Sequence, residues 1–322
     1  MRVLITGITG FVGSHLAEHL LSAHPEVELF GLRRWRSPTE EMAALLPVVR
    51  IVDGDLLDAS SLLRALQASR PDVIFHLAAS SSVASSWDTP IEIMHVNVLG
   101  TLRVLEAMRQ LDLDAVLVVA CSAESYGAVA PEELPIREEQ PFRPLSPYAV
   151  SKAAVDLLAY QYFQTYRLRA VRLRLFNHCG PRQSDRFVIS GLARQIAEIE
   201  AELRPPELRV GNLEARRDFV DVRDVARAYW LAATKAEAGA AYNVASGQAR
   251  SIREVLDRLL TLTEAVVDVV FDPGRLRPSE VPALQGDARK LLDATGWQPA
   301  IPFEQTLFDS LAYWRRRVRA RT

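Results

Sequence analysis

The sequence predicts an α/β chain: a doubly wound parallel sheet with helices on both faces, followed by a smaller C-terminal lobe. Three observations lead there. Strand and helix signals alternate through residues 1–176, the pattern of a parallel sheet crossed by helices. Residues 115–120 are an almost unbroken apolar run, which suits a strand buried on both faces. Past Asn177 the alternation loosens, so residues 177–322 read as a second lobe, with part of 219–247 returning to the first.

Arg2–Thr6 is apolar and β-prone and opens the chain as a strand. Residues 13–21 follow as an amphipathic helix and 27–32 as a second strand. A third strand at 48–52 runs into Asp53-Gly54-Asp55, and 60–68 is helical. Residues 73–77 read as the fourth strand, 91–110 as a helix and 115–120 as the fifth strand. A long helix spans 148–166, and 170–176 is the sixth strand. In the second lobe, 187–203 is helical until Arg204-Pro205-Pro206 breaks it. Residues 221–236 form another helix, 241–245 a strand suited to rejoining the sheet, and 251–261 a helix. A proline-bearing loop at 272–282 precedes a last helix, Phe303–Arg319.

Composition narrows the function. At 322 residues, 49% hydrophobic and 24% charged, the chain has ample material for a core and the make-up of a soluble globular protein. A net charge of −2 offers no bulk attraction to nucleic acid or an anionic membrane, so neither is expected as a partner. No apolar run approaches the roughly 18 residues of a membrane span. The chain enters a strand at once, without the pattern of a secretory leader. Cys121 and Cys179 show neither CxxC nor metal-ligand spacing, which suits a cytoplasmic setting and no metal. The Arg315–Arg321 tail reads as a solvated helix end.

The first strand runs directly into Gly7-x-x-Gly10-x-x-Gly13. Glycines there admit positive φ and let backbone N–H groups approach a pyrophosphate at a helix N-terminus. This predicts a Rossmann-type dinucleotide site, with Gly7, Thr9, Gly10, Phe11, Val12 and Gly13 at the cofactor. A site for NAD(H) usually places an acid after the second strand. Here stand Arg33 and Arg34, suited to a 2′-phosphate, so NADP(H) is preferred, with NAD(H) as the alternative. The bland reading of that pair is a basic surface turn. Asp55 and Leu56 follow the third strand, and Leu77, Ala78 and Ala79 close the fourth; all are expected along the cofactor. His76 reads as a packed structural residue.

Tyr148 and Lys152 lie four residues apart in SPYAVSK, and Lys152 is one of only three lysines beside 35 arginines. A chain that otherwise chooses Arg keeps an ammonium where a compact charge matters, such as beside a phenol whose pKa must fall. Tyr148 is then the acid/base of a hydride exchange, Lys152 lowers its pKa and binds the nicotinamide ribose, and Ser122 holds the substrate oxygen. Glu124, two residues past Ser122, is either a proton-abstracting base or a hydrogen-bonding partner of substrate. In the second lobe Asn177 is set to bond a sugar. Arg217, Arg277 and Glu280 sit in two segments that mix Arg with acids. They read either as a clamp for diphosphate and ribose or as salt-bridged surface loops.

These segments resemble the extended short-chain dehydrogenase/reductases acting on nucleotide sugars, over essentially the whole chain. NHCGPRQ at 177–183, QIAEIE at 195–200, GNLEARRDFVDVRD at 211–224 and LRPSEVPALQG at 276–286 are most similar to the GDP-6-deoxy-D-mannose reductases. The resemblance implies reduction of a GDP-linked 4-keto-6-deoxy sugar by NADPH. Ser122, Tyr148 and Lys152 would be catalytic, and Ser81, Asn177, Arg217, Arg277 and Glu280 would meet substrate. It also implies a homodimer through helices near 91–110 and 148–166. The related 4,6-dehydratases share Asn177-His178 and Glu124, and there Glu124 would remove the C5 proton. Dehydratase or 4-epimerase activity with tightly bound nicotinamide is the alternative. Ser80 departs from the pattern, standing where a longer polar residue is common.

Overall fold

The computed structural model describes residues 1–276 and 281–320. Strand β1 (Arg2–Thr6) leads into helix α1 (Phe11–Ala23), then β2 (Glu28–Arg33), β3 (Arg50–Asp53), α2 (Ala59–Ser69) and β4 (Val73–His76). The helix expected at 91–110 is present, but as α3 (Pro90–Ile93), a π-helical segment (Met94–Leu99) and α4 (Gly100–Gln110) in succession. β5 (Val116–Ser122), α5 (Pro147–Tyr166) and β6 (Ala170–Leu175) complete the alternation.

The second half contains β7 (Asn177–Cys179), α6 (Val188–Glu200), β8 (Glu207–Val210), β9 (Arg216–Asp221), α7 (Val222–Lys235) and β10 (Ala241–Val244). β11 (Ala249–Ser251), α8 (Ile252–Leu260), β12 (Asp268–Phe271), β13 (Ala283–Leu284), α9 (Arg289–Thr295) and α10 (Phe303–Arg319) follow.

Seven strands pair in parallel in the order β3-β2-β1-β4-β5-β6-β10. The order reverses between β1 and β4, and open sheets of this kind bind ligands beyond the carboxyl ends at that point. Leu16 and Leu20 of α1 with Val225 and Tyr229 of α7 bury one face. Leu62 of α2, Leu105 and Met108 of α4, and Val155 and Ala159 of α5 bury the other. Each such Leu or Val contributes about 1.5–3 kcal/mol relative to exposure. The two-sided burial is why the strands read as continuous apolar runs.

The return of the chain to the sheet takes place at β10, whose Ala241 pairs with Arg172 of β6. α7 also packs on this lobe, against α1. The rest of the second half has its own core, built from Leu192 and Ile196 of α6, Leu256 of α8, and Leu307 and Leu311 of α10. β9 departs from expectation, since Arg216-Arg217-Asp218 read as a polar loop. It is a strand because the Asp218 carboxylate is fully bonded, accepting from Ser246 N (2.7 Å), Ser246 Oγ (2.6 Å), Gly247 N (2.9 Å) and Gly286 N (3.1 Å). Those bonds let a charge lie inside the sheet.

Candidate active site

A cleft of about 720 Å³ opens beyond the carboxyl ends of β1, β4 and β5. Its floor is the β1–α1 turn. Gly7 has φ +72°, and a Cβ there would lie 2.9 Å from Ala78 Cα; a Cβ on Gly13 would lie 2.3 Å from Gly7 O. Only glycine lets turn, helix and strand end approach so closely. Gly10 precedes α1 and no side chain caps the helix, so its first N–H groups are left to a ligand. This cradle fits a dinucleotide diphosphate.

His76 locks the same floor. Thr6 Oγ1 accepts from Leu77 N (3.2 Å) and Ala78 N (3.1 Å), so its own proton goes to His76 Nδ1 at 2.9 Å. Nε2–H then donates to Thr101 Oγ1 at 3.0 Å, whose proton goes to Asn97 O at 2.6 Å. Burial, aided by the charge of Lys152, holds the imidazole down at about 3 and hence neutral. The structural reading of His76 is the right one.

At one end, Arg33, Arg34, Asp55 and Leu56 border the cleft with two residues that sequence reasoning passed over, Arg36 and Ser37. Arg33 pairs with Asp53 (3.4 Å) and Arg36 with Asp55 (3.5 Å). Among the described residues exposed Arg34 has no ion-pair partner. These cations, with no acid closing β2, fit a 2′-phosphate. Their signal was in the sequence: the run Arg33-Arg34-Trp35-Arg36-Ser37 extends past the strand end.

At the other end, Ser122 closes β5 and caps the turn Ala123–Tyr126, its Oγ accepting from Glu124 N at 3.2 Å. Ser146 caps α5, its Oγ accepting from Ala149 N at 3.1 Å, and Pro147 starts the first turn. That start fixes Tyr148 and, one turn later, Lys152. Lys152 Nζ donates to Ala120 O at 2.7 Å and lies 6.0 Å from the Tyr148 ring centroid. Burial lowers Lys152 to about 8. Burial raises the Tyr148 phenol well above its ordinary value; nearby Ser122 pulls it down and the charge of Glu124 pushes it up. The expected lowering of Tyr148 by Lys152 is therefore corrected. In the protein alone desolvation wins, because the ammonium is turned to a backbone carbonyl.

Asn97, in the π-helical segment, was not foreseen. Its Oδ1 accepts from Ser80 N (2.8 Å) and its Nδ2 donates to Ser80 O (3.0 Å) and Ser151 Oγ (2.9 Å). It thus joins the loop after β4 to the helix carrying Tyr148. The short side chain at Ser80 fits because the loop is held there by its backbone.

Thr9, Phe11, Val12, Leu77, Ala78, Ala79, Ser81, Glu124 and Asn177 all border the cleft. His178 is half-buried with its ring stacked on Phe11 (5.9 Å, 4°), and Gln183 Nε2 donates to His178 O at 2.8 Å. Arg217 is buried in β9 and is not among the described residues that border the cleft. It pairs in register with Leu284, which does. Arg277 and Glu280 lie outside the described residues.

A protein-family model described as GDP-mannose 4,6 dehydratase matches residues 4–309. The chain belongs to this family. It is similar to GDP-6-deoxy-D-mannose reductase of Pseudomonas aeruginosa, 39% identical over 318 residues that cover 99% of this chain and 98% of that protein. It is also similar to GDP-mannose 4,6 dehydratase 1 of Arabidopsis thaliana, 35% identical over 316 residues covering 94% and 86%. Among solved structures, that of RMD from Pseudomonas aeruginosa complexed with NADPH matches with a TM-score of 0.86 at 36% identity, covering 98% of this chain and 100% of that one. The relatives thus carry the names of both reaction types between which the sequence had to choose.

Proposed function

We propose that the chain is an NADPH-dependent reductase of a nucleotide sugar, acting on the C4 ketone of a GDP-4-keto-6-deoxy-hexose to give GDP-6-deoxy-D-mannose (GDP-D-rhamnose). One observation carries this reading. Ser122, Tyr148 and Lys152 meet on the wall of a cleft floored by the glycine cradle, in a chain 39% identical to a reductase of that name. NADPH, when bound, supplies the hydride.

The chain's own residues do the rest. The Gly7–Gly13 turn and the first amides of α1 hold the diphosphate, Arg34 and Arg36 take the 2′-phosphate, and Asp55 and Leu56 meet the adenine. Tyr148, kept protonated by burial, gives its proton to the C4 oxygen as it gains charge. Ser122 donates to the same oxygen, while Lys152 holds the ribose. Ser81 and Asn177 orient the sugar. By the same resemblance Arg217, Arg277 and Glu280 complete the nucleotide end, so that residues 1–176, with part of 219–247, build the cofactor lobe and the rest of 177–322 the substrate lobe.

A second reading, a GDP-mannose 4,6-dehydratase, is favoured by Glu124. It borders the cleft half-buried, and its carboxylate has no partner among the described residues. The two are separated by NADPH absorbance, with GDP-4-keto-6-deoxy-mannose in one cuvette and GDP-mannose plus NADP in the other. Stoichiometric NADPH loss in the first and no reaction in the second is the expected result. Glu124→Gln should keep that reduction to within a few-fold. A 4-keto product from GDP-mannose without net cofactor change, lost in Glu124→Gln, would make the chain a dehydratase.

A homodimer belongs to the same proposal, supported by the apolar residues Val150, Leu157 and Tyr160 on the outer side of α5. So does a cytoplasmic setting, which suits two free, buried cysteines.

A further inference from the structure

Seven residues of α7 are buried: Val222, Asp224, Val225, Ala226, Ala228, Tyr229 and Ala232. The Val and Ala residues are plain packing, the Asp224 carboxylate accepts from Ala300 N and Ile301 N at 2.9 Å, and Tyr229 carries a hydroxyl. Packing does not call for that oxygen, since the Tyr229 ring meets Phe75 edge-on at 6.0 Å as a phenylalanine would. Tyr229 is fully buried, and its Oη has no hydrogen-bond partner among the described residues. Such a group costs stability unless something satisfies it.

The neighbouring buried phenol is different. Tyr126 Oη donates to Asn243 Oδ1 at 2.7 Å and accepts from Arg174 Nη1 at 3.0 Å. Thr6 is committed as well, donating to His76 and accepting from Leu77 N and Ala78 N. Tyr229 borders the cleft, and its helix packs against β5, the strand that ends in Ser122, which places it toward the hydride-exchanging end.

We propose that the Tyr229 hydroxyl is a cofactor-binding group that donates a hydrogen bond to the nicotinamide half of the bound dinucleotide. This rests on the reading of the cleft as an NADPH site. The nicotinamide half carries acceptor oxygens in its carboxamide and ribose. An uncommitted donor in a dry floor supplies the bond that the protein itself leaves unmade.

Tyr229→Phe tests it, with two ligands titrated by fluorescence or calorimetry: NADPH, and adenosine 2′,5′-bisphosphate, which lacks both the nicotinamide ring and its ribose. The variant should melt no lower than wild type without ligand, because it loses only an unpaired hydroxyl. It should bind NADPH about 3- to 10-fold more weakly, the value of one hydrogen bond, and bind the fragment as wild type does. Unchanged NADPH affinity would overturn the assignment. An equal loss with the fragment would move the bond to the adenosine half and overturn it too. A lower melting temperature without ligand would make the hydroxyl part of the core. If wild type binds neither ligand, the cofactor reading itself falls, a result distinct from all of these.

Discussion

Lys152 connects a single side chain to the pH dependence of the reaction. Burial lowers its pKa from 10.5 to about 8, so the folded protein binds fewer protons than the unfolded chain between those values. Its contribution to stability therefore rises with pH across that window, while the positive charge that the ribose site needs is lost. The expected result is a fall in kcat/KM for NADPH as pH rises through about 8. Lys152→Arg, always charged, should lower the rate but carry the alkaline limb beyond the measurable range. A pH–rate profile of the two proteins checks this; the same limb in both would assign it to another group. Tyr148, Lys152 and Ser122 were legible because short spacing on a helix and a strand end fixes them relative to one another. Asn97 was not, since its partners Ser80 and Ser151 lie far along the chain, nor was Tyr229, whose hydroxyl meets no partner among the described residues. A buried Asn or Tyr in an apolar stripe carries no local sign of what it meets.

α5 shows how an element is held in place by residues away from the chemistry. Asp156, one turn beyond Lys152, accepts from Arg172 Nη1 (2.5 Å) and from Arg174 Nε (2.8 Å) and Nη2 (3.1 Å), all buried. Burial would raise its carboxyl, but the hydrogen bond and charge of Arg174, joined by Arg172, outweigh it and the net direction is down. A depressed carboxylate contributes stability above its unfolded pKa and loses it as pH falls through the folded value. Asp156→Ala leaves two guanidinium groups buried without their partner. It should cost about 3–5 kcal/mol in denaturant unfolding at pH 7, and kcat should fall because α5 carries Tyr148 in its first turn. A loss under 1 kcal/mol would show that the sheet holds α5 unaided. The same chemistry explains what could not be read at this scale. β6 was legible although two of its six residues are Arg, because its other positions are apolar. β9 begins with three charged residues, and the carboxylate among them, Asp218, is satisfied by the distant Ser246, Gly247 and Gly286, so its pattern resembles a loop. The π-helical segment was hidden for another reason, as its apolar spacing serves a continuous α-helix equally well.

At the level of the whole molecule, α5 joins the active site to the outer surface. One side places Tyr148 and Lys152 in the cleft, and the other leaves Leu157 58% and Tyr160 44% exposed. Apolar residues clustered on one exposed helix face mark an interaction surface. In a two-fold dimer the same face serves both copies. The first lobe was legible in outline because its topology is local, strand after helix after strand. In the second, the helices and the return of β10 to the sheet were legible, but the pairing of its own strands was not, because it runs across long separations. Partnering follows neither pattern and has to be argued from exposure. Light scattering on the wild-type chain should give twice the 35.9 kDa of one copy, 71.8 kDa. Leu157→Glu places a charge twice in one symmetric contact and should give 35.9 kDa, with NADPH affinity kept because Leu157 does not border the cleft. A wild-type chain of single mass would remove the dimer and leave the cofactor cleft, which one copy forms by itself, as it stands.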